Sequence, residues 1–151
     1  MTVILRAKIA ALVLGLGISS MAQAEDPDTV TVYKSPTCGC CEDWVTHMED
    51  NDFEVIVKDT QNLNPIKAEA GLTPALASCH TAFVDGYVIE GHVPASDVRR
   101  LLEQGVEARG LAVPGMPAGS PGMEMGDRQD DYQVLLFNDQ GQTKVFATYP
   151  E

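Results

Sequence analysis

The sequence predicts an α/β domain built around one core. Three observations lead there. A strand, a helix and a second strand succeed one another within about thirty residues near the start. A further helix, a hairpin and a third helix follow. Once a 24-residue leader is set aside, 127 of the 151 residues remain, the length of one domain.

The leader comes first. Arg6 and Lys8 precede the apolar run Ile9 to Ile18, and Ala22-Gln23-Ala24 supplies a small-x-small cleavage site, so residues 1–24 read as a signal peptide removed on export. The apolar run is about half of the roughly 20 residues that cross a bilayer, and no later stretch is continuously apolar. The expectation is a soluble mature chain, residues 25–151, in the periplasm. Losing Arg6 and Lys8 moves the formal charge from −12 to −14. That balance disfavours a phosphate backbone or an anionic membrane as partner.

Val30 to Tyr33 is a short β-type run, stopped by Ser35-Pro36-Thr37. Cys41, Trp44, Val45 and Met48 then recur at helical spacing and mark one buried face, ended by Asn51-Asp52. Phe53 to Val57 reads as the second strand, which makes a parallel βαβ unit. Asn64 as N-cap, Pro65 in the first turn and Gly71 as stop bound a short second helix. Thr81 to Val84 and Tyr87 to Glu90 flank Asp85-Gly86, a hairpin signal. Ser96 is positioned to cap a helix with Val98, Leu101 and Leu102 on one face, ended by Gly105. The predicted order is βαβαββα.

Beyond Gly105 the composition changes. Gly110 to Gly126 is rich in Gly and Pro, carries Met116, Met123 and Met125, and has neither helical nor strand period, so it reads as a loop. Tyr132 to Phe137 and Thr143 to Thr148 surround Asn138-Asp139-Gln140-Gly141 as a terminal hairpin. Residues 105–151 are therefore expected as a C-terminal extension of the same domain.

The chemistry concentrates at the first strand-to-helix junction. Cys38 and Cys41 stand two residues apart where helix-end amides favour a thiolate, and this Cys-x-x-Cys in a βαβ setting is a thioredoxin-type motif. Cys40 adds a third thiol that interferes with a clean two-cysteine redox cycle and suits a metal better. Glu42 and Asp43 follow directly, and their charge opposes thiolates unless a cation offsets it, a part that a soft metal ion fills. In thioredoxin-like topology the loop before the hairpin meets the end of the first helix, which brings Cys79 and His80 to the cluster. Thiolates with an imidazole and a thioether suit Cu(I) or Zn rather than Mg or Ca. Two ordinary disulfides are the plain alternative, but three cysteines within four positions close loops too short to gain much from them. His47 lies one position off the apolar stripe and reads as a partly exposed surface residue rather than a ligand. His92 reads equally as structural or as a ligand or support for the site. Met123 and Met125 are gap-fillers or soft donors, whereas Met116 is favoured as a donor.

Four segments together resemble the CopG-type copper-resistance proteins of Gram-negative bacteria: residues 34–41 (Lys-Ser-Pro-Thr-Cys-Gly-Cys-Cys), 77–81 (Ala-Ser-Cys-His-Thr), 84–94 (Val-Asp-Gly-Tyr-Val-Ile-Glu-Gly-His-Val-Pro) and 110–117 (Gly-Leu-Ala-Val-Pro-Gly-Met-Pro). The likeness covers essentially the whole mature chain. It implies a thioredoxin-like fold whose C-terminal extension joins the metal site, copper bound beside the Cys-x-Cys-Cys motif, and a role in copper tolerance with redox interconversion of Cu(I) and Cu(II). Carried over position by position, the metal residues are Cys38, Cys40, Cys41, Cys79, His80 and Met116. A buffer or chaperone that hands copper to a periplasmic exporter uses the same ligands. The rival from another class is a thiol-disulfide oxidoreductase in which Cys38 attacks and Cys41 resolves. Nothing in the hydrophobic pattern marks an obligate interface, so a monomer is expected.

Overall fold

The computed structural model describes residues 28–150; the expected signal peptide, residues 1–24, lies outside them. Along the chain run β1 (Thr29–Lys34), α1 (Gly39–Glu49), β2 (Glu54–Asp59), α2 (Asn64–Glu69), β3 (Thr81–Val84), β4 (Tyr87–Glu90), α3 (Ala95–Gln104), β5 (Gly110–Ala112), β6 (Tyr132–Phe137) and β7 (Thr143–Tyr149). The seven strands form one mixed sheet in the order β2-β1-β3-β4-β5-β6-β7. β1 pairs with β2 in parallel and β4 with β5 in parallel, and the other neighbours are antiparallel.

The period of two along the strands splits the apolar side chains between two faces. Val30, Val32, Ile89, Leu111 and Val134 join Trp44, Val45 and Met48 of α1 and Val98 and Leu101 of α3 in the larger cluster. Val88, Ala112 and Phe137 point the other way and meet Ala70 and Leu76 beside α2. Each fully buried side chain of this size contributes about 1.5–3 kcal/mol, so the larger cluster carries most of the stability. The same alternation turns Lys34, the last residue of β1, to the buried side, where it is only 3% exposed.

Three local expectations change. The first three residues of the expected loop, Gly110 to Ala112, form β5 between β4 and β6. All three are buried, so no polar alternation announces a strand, and Gly110 fits because a Cβ there runs into the Val88 carbonyl. Through β5 the terminal hairpin continues the same sheet as the rest of the chain. α3 begins at Ala95, and Ser96 is exposed and bonds no cap. The free amide of Ala95 is instead taken by His47 Nε2 at 3.0 Å, so His47, partly exposed as expected, has the added role of a cap. α2 starts one residue earlier than expected: Leu63 is its N-cap, Asn64 lies inside, and Asn62 Oδ1 accepts the Asn64 amide.

Candidate metal centre

α1 begins at Gly39, with Cys38 in an extended conformation as its N-cap. Cys41 belongs to the buried face with Trp44, Val45 and Met48, and Cys38 one turn earlier lies over it; the two are joined in a disulfide with Cα atoms 5.3 Å apart. Cys40 falls off that stripe. It remains a free thiol, its Sγ 3.5 Å from Cys38 Sγ. The two-disulfide alternative is therefore not what the chain forms, because Cys79 is also free.

Cys79 arrives from the loop ahead of β3, as the sequence predicts. One ligand atom from each of Cys38, Cys40, Cys41 and Cys79 lies within 4.8 Å of the others. Cys79 also belongs to a second group of the same span with His80 and His92. Its Sγ is 3.0 Å from His92 Nε2 and 3.3 Å from His80 Nδ1. Burial first, and then the neighbouring Cys40, push the Cys79 thiol up to about 12, so without a cation it keeps its proton.

Both imidazoles are held neutral. His80 is fully buried, its pKa driven well below the ordinary value by burial, then by His92 and Lys67. It lies against the Trp44 ring, with centroids 4.4 Å apart, while Trp44 Nε1 donates to the Val93 carbonyl at 2.9 Å. His80 Nε2 has no hydrogen-bond partner. An orphaned buried polar atom costs about 1–3 kcal/mol, and a ligand to that nitrogen removes the cost. His92 is lowered mainly by burial. Its Nδ1 donates to the Pro121 carbonyl at 2.8 Å, which leaves the Nε2 lone pair aimed at Cys79.

His92 was not among the site residues expected from the sequence, although a signal existed. The hairpin register pairs Thr81 with Glu90 and Ala82 with Ile89. Continued outward, it sets His80 against Gly91, whose amide donates to the His80 carbonyl at 3.1 Å, and Cys79 against His92. Glu90, fully buried, holds this arrangement. Its carboxylate accepts from the Ser78 amide at 2.7 Å, from Thr81 Oγ1 at 2.6 Å and from the Lys67 ammonium, so it grips the chain on both sides of Cys79-His80.

The Gly/Pro/Met segment closes over the site. The Gly115 amide donates to the Ala77 carbonyl, and Ser78 Oγ donates to the Gly115 carbonyl. Met116, next in line, is 52% exposed. Further on, Pro121 bonds His92, and a Cβ on Gly122 lands 2.7 Å from both the Cys40 carbonyl and the Trp44 amide. The segment thus touches the first turn of α1 and the second histidine at adjacent residues. Met123 is half-buried and Met125 exposed.

The charge expected to oppose thiolates has a protein partner. Lys34 Nζ lies 2.8 Å from Glu42 and 3.2 Å from Asp59, and the Glu42 contact is the main cause that raises the Lys34 pKa. Glu42 thus shares the Lys34 ammonium with Asp59, while Asp43 is exposed.

Two solved structures of known proteins match this chain. The one named "Copper resistance protein copG- Form 2" is 46% identical, covers 81% of this chain and 98% of its own, and superposes with a TM-score of 0.77. The chain belongs to the CopG family of copper-resistance proteins. The second, named "Copper resistance protein copG- Form 1", is 46% identical over 83% of this chain and 100% of its own, with a TM-score of 0.78. A family described as "Protein of unknown function, DUF411" matches residues 76–123, the stretch that holds Cys79, His80, His92 and Met116. No curated protein matches the chain.

Proposed function

We propose that the chain is an exported, periplasmic protein of copper tolerance. In this reading residues 25–151 form a thioredoxin-like domain with 105–151 as its C-terminal extension, working as a monomer. Copper is bound by Cys38, Cys40, Cys41, Cys79 and His80, with Met116 supplied by the closing segment, and it passes between Cu(I) and Cu(II) or is buffered for an exporter or chaperone. One observation carries the proposal: Cys79 is shared by a group of four sulfurs and a group with two neutral imidazoles, each of which turns a ring nitrogen to its sulfur. Thiolate sulfur selects Cu(I), imidazole tolerates Cu(II), and a carboxylate-held loop keeps the donors in place. His92 joins the ligand set on the same grounds. The family, whose solved members are named for copper resistance, supports the choice of metal.

The test is metal content and the ultraviolet-visible spectrum of residues 25–151 after loading with Cu(I) or Cu(II) and desalting. The expected result is retained copper with thiolate-to-metal charge-transfer bands, lost in Cys79→Ser and weakened in His92→Ala. A metal-free, colourless protein overturns the proposal. The second reading, a thiol-disulfide oxidoreductase, is favoured by the Cys38–Cys41 disulfide at the start of α1. It predicts disulfide reductase activity that survives Cys40→Ser.

A further inference from the structure

The four cysteines are not equivalent, and the difference has a chemical use. Cys38 and Cys41 close on each other because they are one turn apart at the start of α1; Cys40, off the buried stripe, is left facing the Cys79 side. With the disulfide closed, a soft donor set is still assembled: Cys40 and Cys79 remain thiols, and Cys79 stays in contact with His80 and His92. The disulfide therefore does not dismantle the place where a metal is held.

Resting on the copper reading above, we infer that the cysteines divide two tasks. Cys38 and Cys41 are an internal two-electron donor that reduces Cu(II), while Cys40, Cys79, His80 and His92 retain the Cu(I) produced. The step balances as follows. The Cys38 and Cys41 thiols each give one electron to one Cu(II) and release one proton to solvent. The two sulfurs then form the Cys38–Cys41 bond, giving two Cu(I), two protons and one disulfide. The reset needs an external dithiol, which is itself oxidised to a disulfide as it returns two electrons and two protons. Its point of attack is Cys38, because the Cys38 side chain is part-exposed at the helix cap while Cys41 is fully buried.

Geometry gives this assignment its direction. A Cu(II) ion that meets unconstrained thiols oxidises whichever pair collides, whereas here the pair one helical turn apart closes with the backbone as it stands. On the histidine side Cys79 is flanked by two ring nitrogens, which bind Cu(I) but supply no electrons.

The experiment uses the mature chain reduced with a dithiol, desalted without oxygen and mixed with a small excess of Cu(II). Loss of the Cu(II) paramagnetic resonance signal counts the electrons transferred. Alkylation followed by peptide mass mapping then reports which cysteines are bridged. The expected result is two Cu(II) spins lost per chain, a Cys38–Cys41 bridge, and Cys40 and Cys79 alkylated after copper is stripped. Cys38→Ser should lose at least half of the spin loss and form no Cys40–Cys79 bridge. Four spins lost, a bridge at Cys40–Cys79 or between chains, no spin loss, or full spin loss in Cys38→Ser each overturns the inference. In parallel, the disulfide form is titrated with Cu(I) against a colorimetric chelator. If it binds Cu(I) while the spin count fails, only the division of tasks falls; if neither form holds copper, the copper reading falls with it.

Discussion

Replacing Gly122 by alanine tests how the closing segment is coupled to the site. Gly122 has φ +82°, a left-handed conformation that costs an ordinary residue about 1–2 kcal/mol. Its new Cβ also lands 2.7 Å from the Cys40 carbonyl and the Trp44 amide, which are backbone atoms of α1 and cannot swing aside. Overpacking of that kind adds about 1–3 kcal/mol, so the total is about 2–5 kcal/mol. The chain has a way to avoid part of it: the segment can lift off α1, and Pro121 then leaves His92 Nδ1 without its acceptor. Thermal unfolding followed by circular dichroism should show a fall of roughly 8 °C or more, using about 4 °C per kcal/mol for a domain of this size. Hydrogen exchange should show lost protection of the Gly119 and Met123 amides, which are bonded within the segment. Copper loaded into the variant should show an altered charge-transfer spectrum. A Tm within 1–2 °C of wild type together with an unchanged spectrum refutes the account of Gly122 as a close-contact position.

Three further outcomes follow from the same contacts. Burial is the main cause that lowers the His47 pKa, against the charges of Glu124 and Asp50, and neutral His47 accepts the Ala95 amide. Its contribution is therefore full above the unfolded value of about 6.5 and is lost as pH falls through the lower folded value. Urea unfolding at pH 7.5 and pH 5 should show a larger loss in wild type than in His47→Gln, which does not titrate, and equal losses contradict the cap. Glu90→Ala leaves the partly buried Lys67 ammonium and the Ser78 amide without their acceptor and should cost about 3 kcal/mol in urea unfolding, with Glu90→Gln recovering part of it; a cost below 1 kcal/mol contradicts the grip on the Cys79 loop. Trp44→Phe removes the donor to the buried Val93 carbonyl and should cost about 1–3 kcal/mol in the same assay; no change means that another donor serves that carbonyl.

How much was legible depends on which signal each feature emits. The helical spacing of Cys41, Trp44, Val45 and Met48 places α1 correctly, and all four are buried. The Asp85-Gly86 turn places β3 and β4 to the residue. Cys79 comes to the Cys-x-Cys-Cys segment, while His80 groups with Cys79 and His92. β5 escaped because three residues buried on both faces have no period to detect. His47 escaped because its partner, the amide of Ala95, is 48 positions away. His92 was half legible, since extending the hairpin register finds it opposite Cys79, but the Pro121 bond that fixes its orientation joins segments 29 residues apart. Lys34 entered the sequence reading only as the first residue of the segment 34–41, and its pairing with Glu42 needed β1 and α1 in place.

By itself the sequence determined the local structure and the inventory of donors. Strand and helix follow from side-chain period, turns from Gly and Asp, and a soft-metal character from four cysteines and a histidine grouped at element ends. Tertiary structure alone decided how those donors are divided: which two cysteines bond, which two stay free, which histidine faces Cys79, and which lysine pairs with Glu42. The physical reason is range. Period and turn chemistry act over a few residues, whereas a ligand geometry is a set of distances between side chains on different elements, and these exist only after sheet order and register have brought β1, α1, the β3–β4 hairpin and the closing segment together.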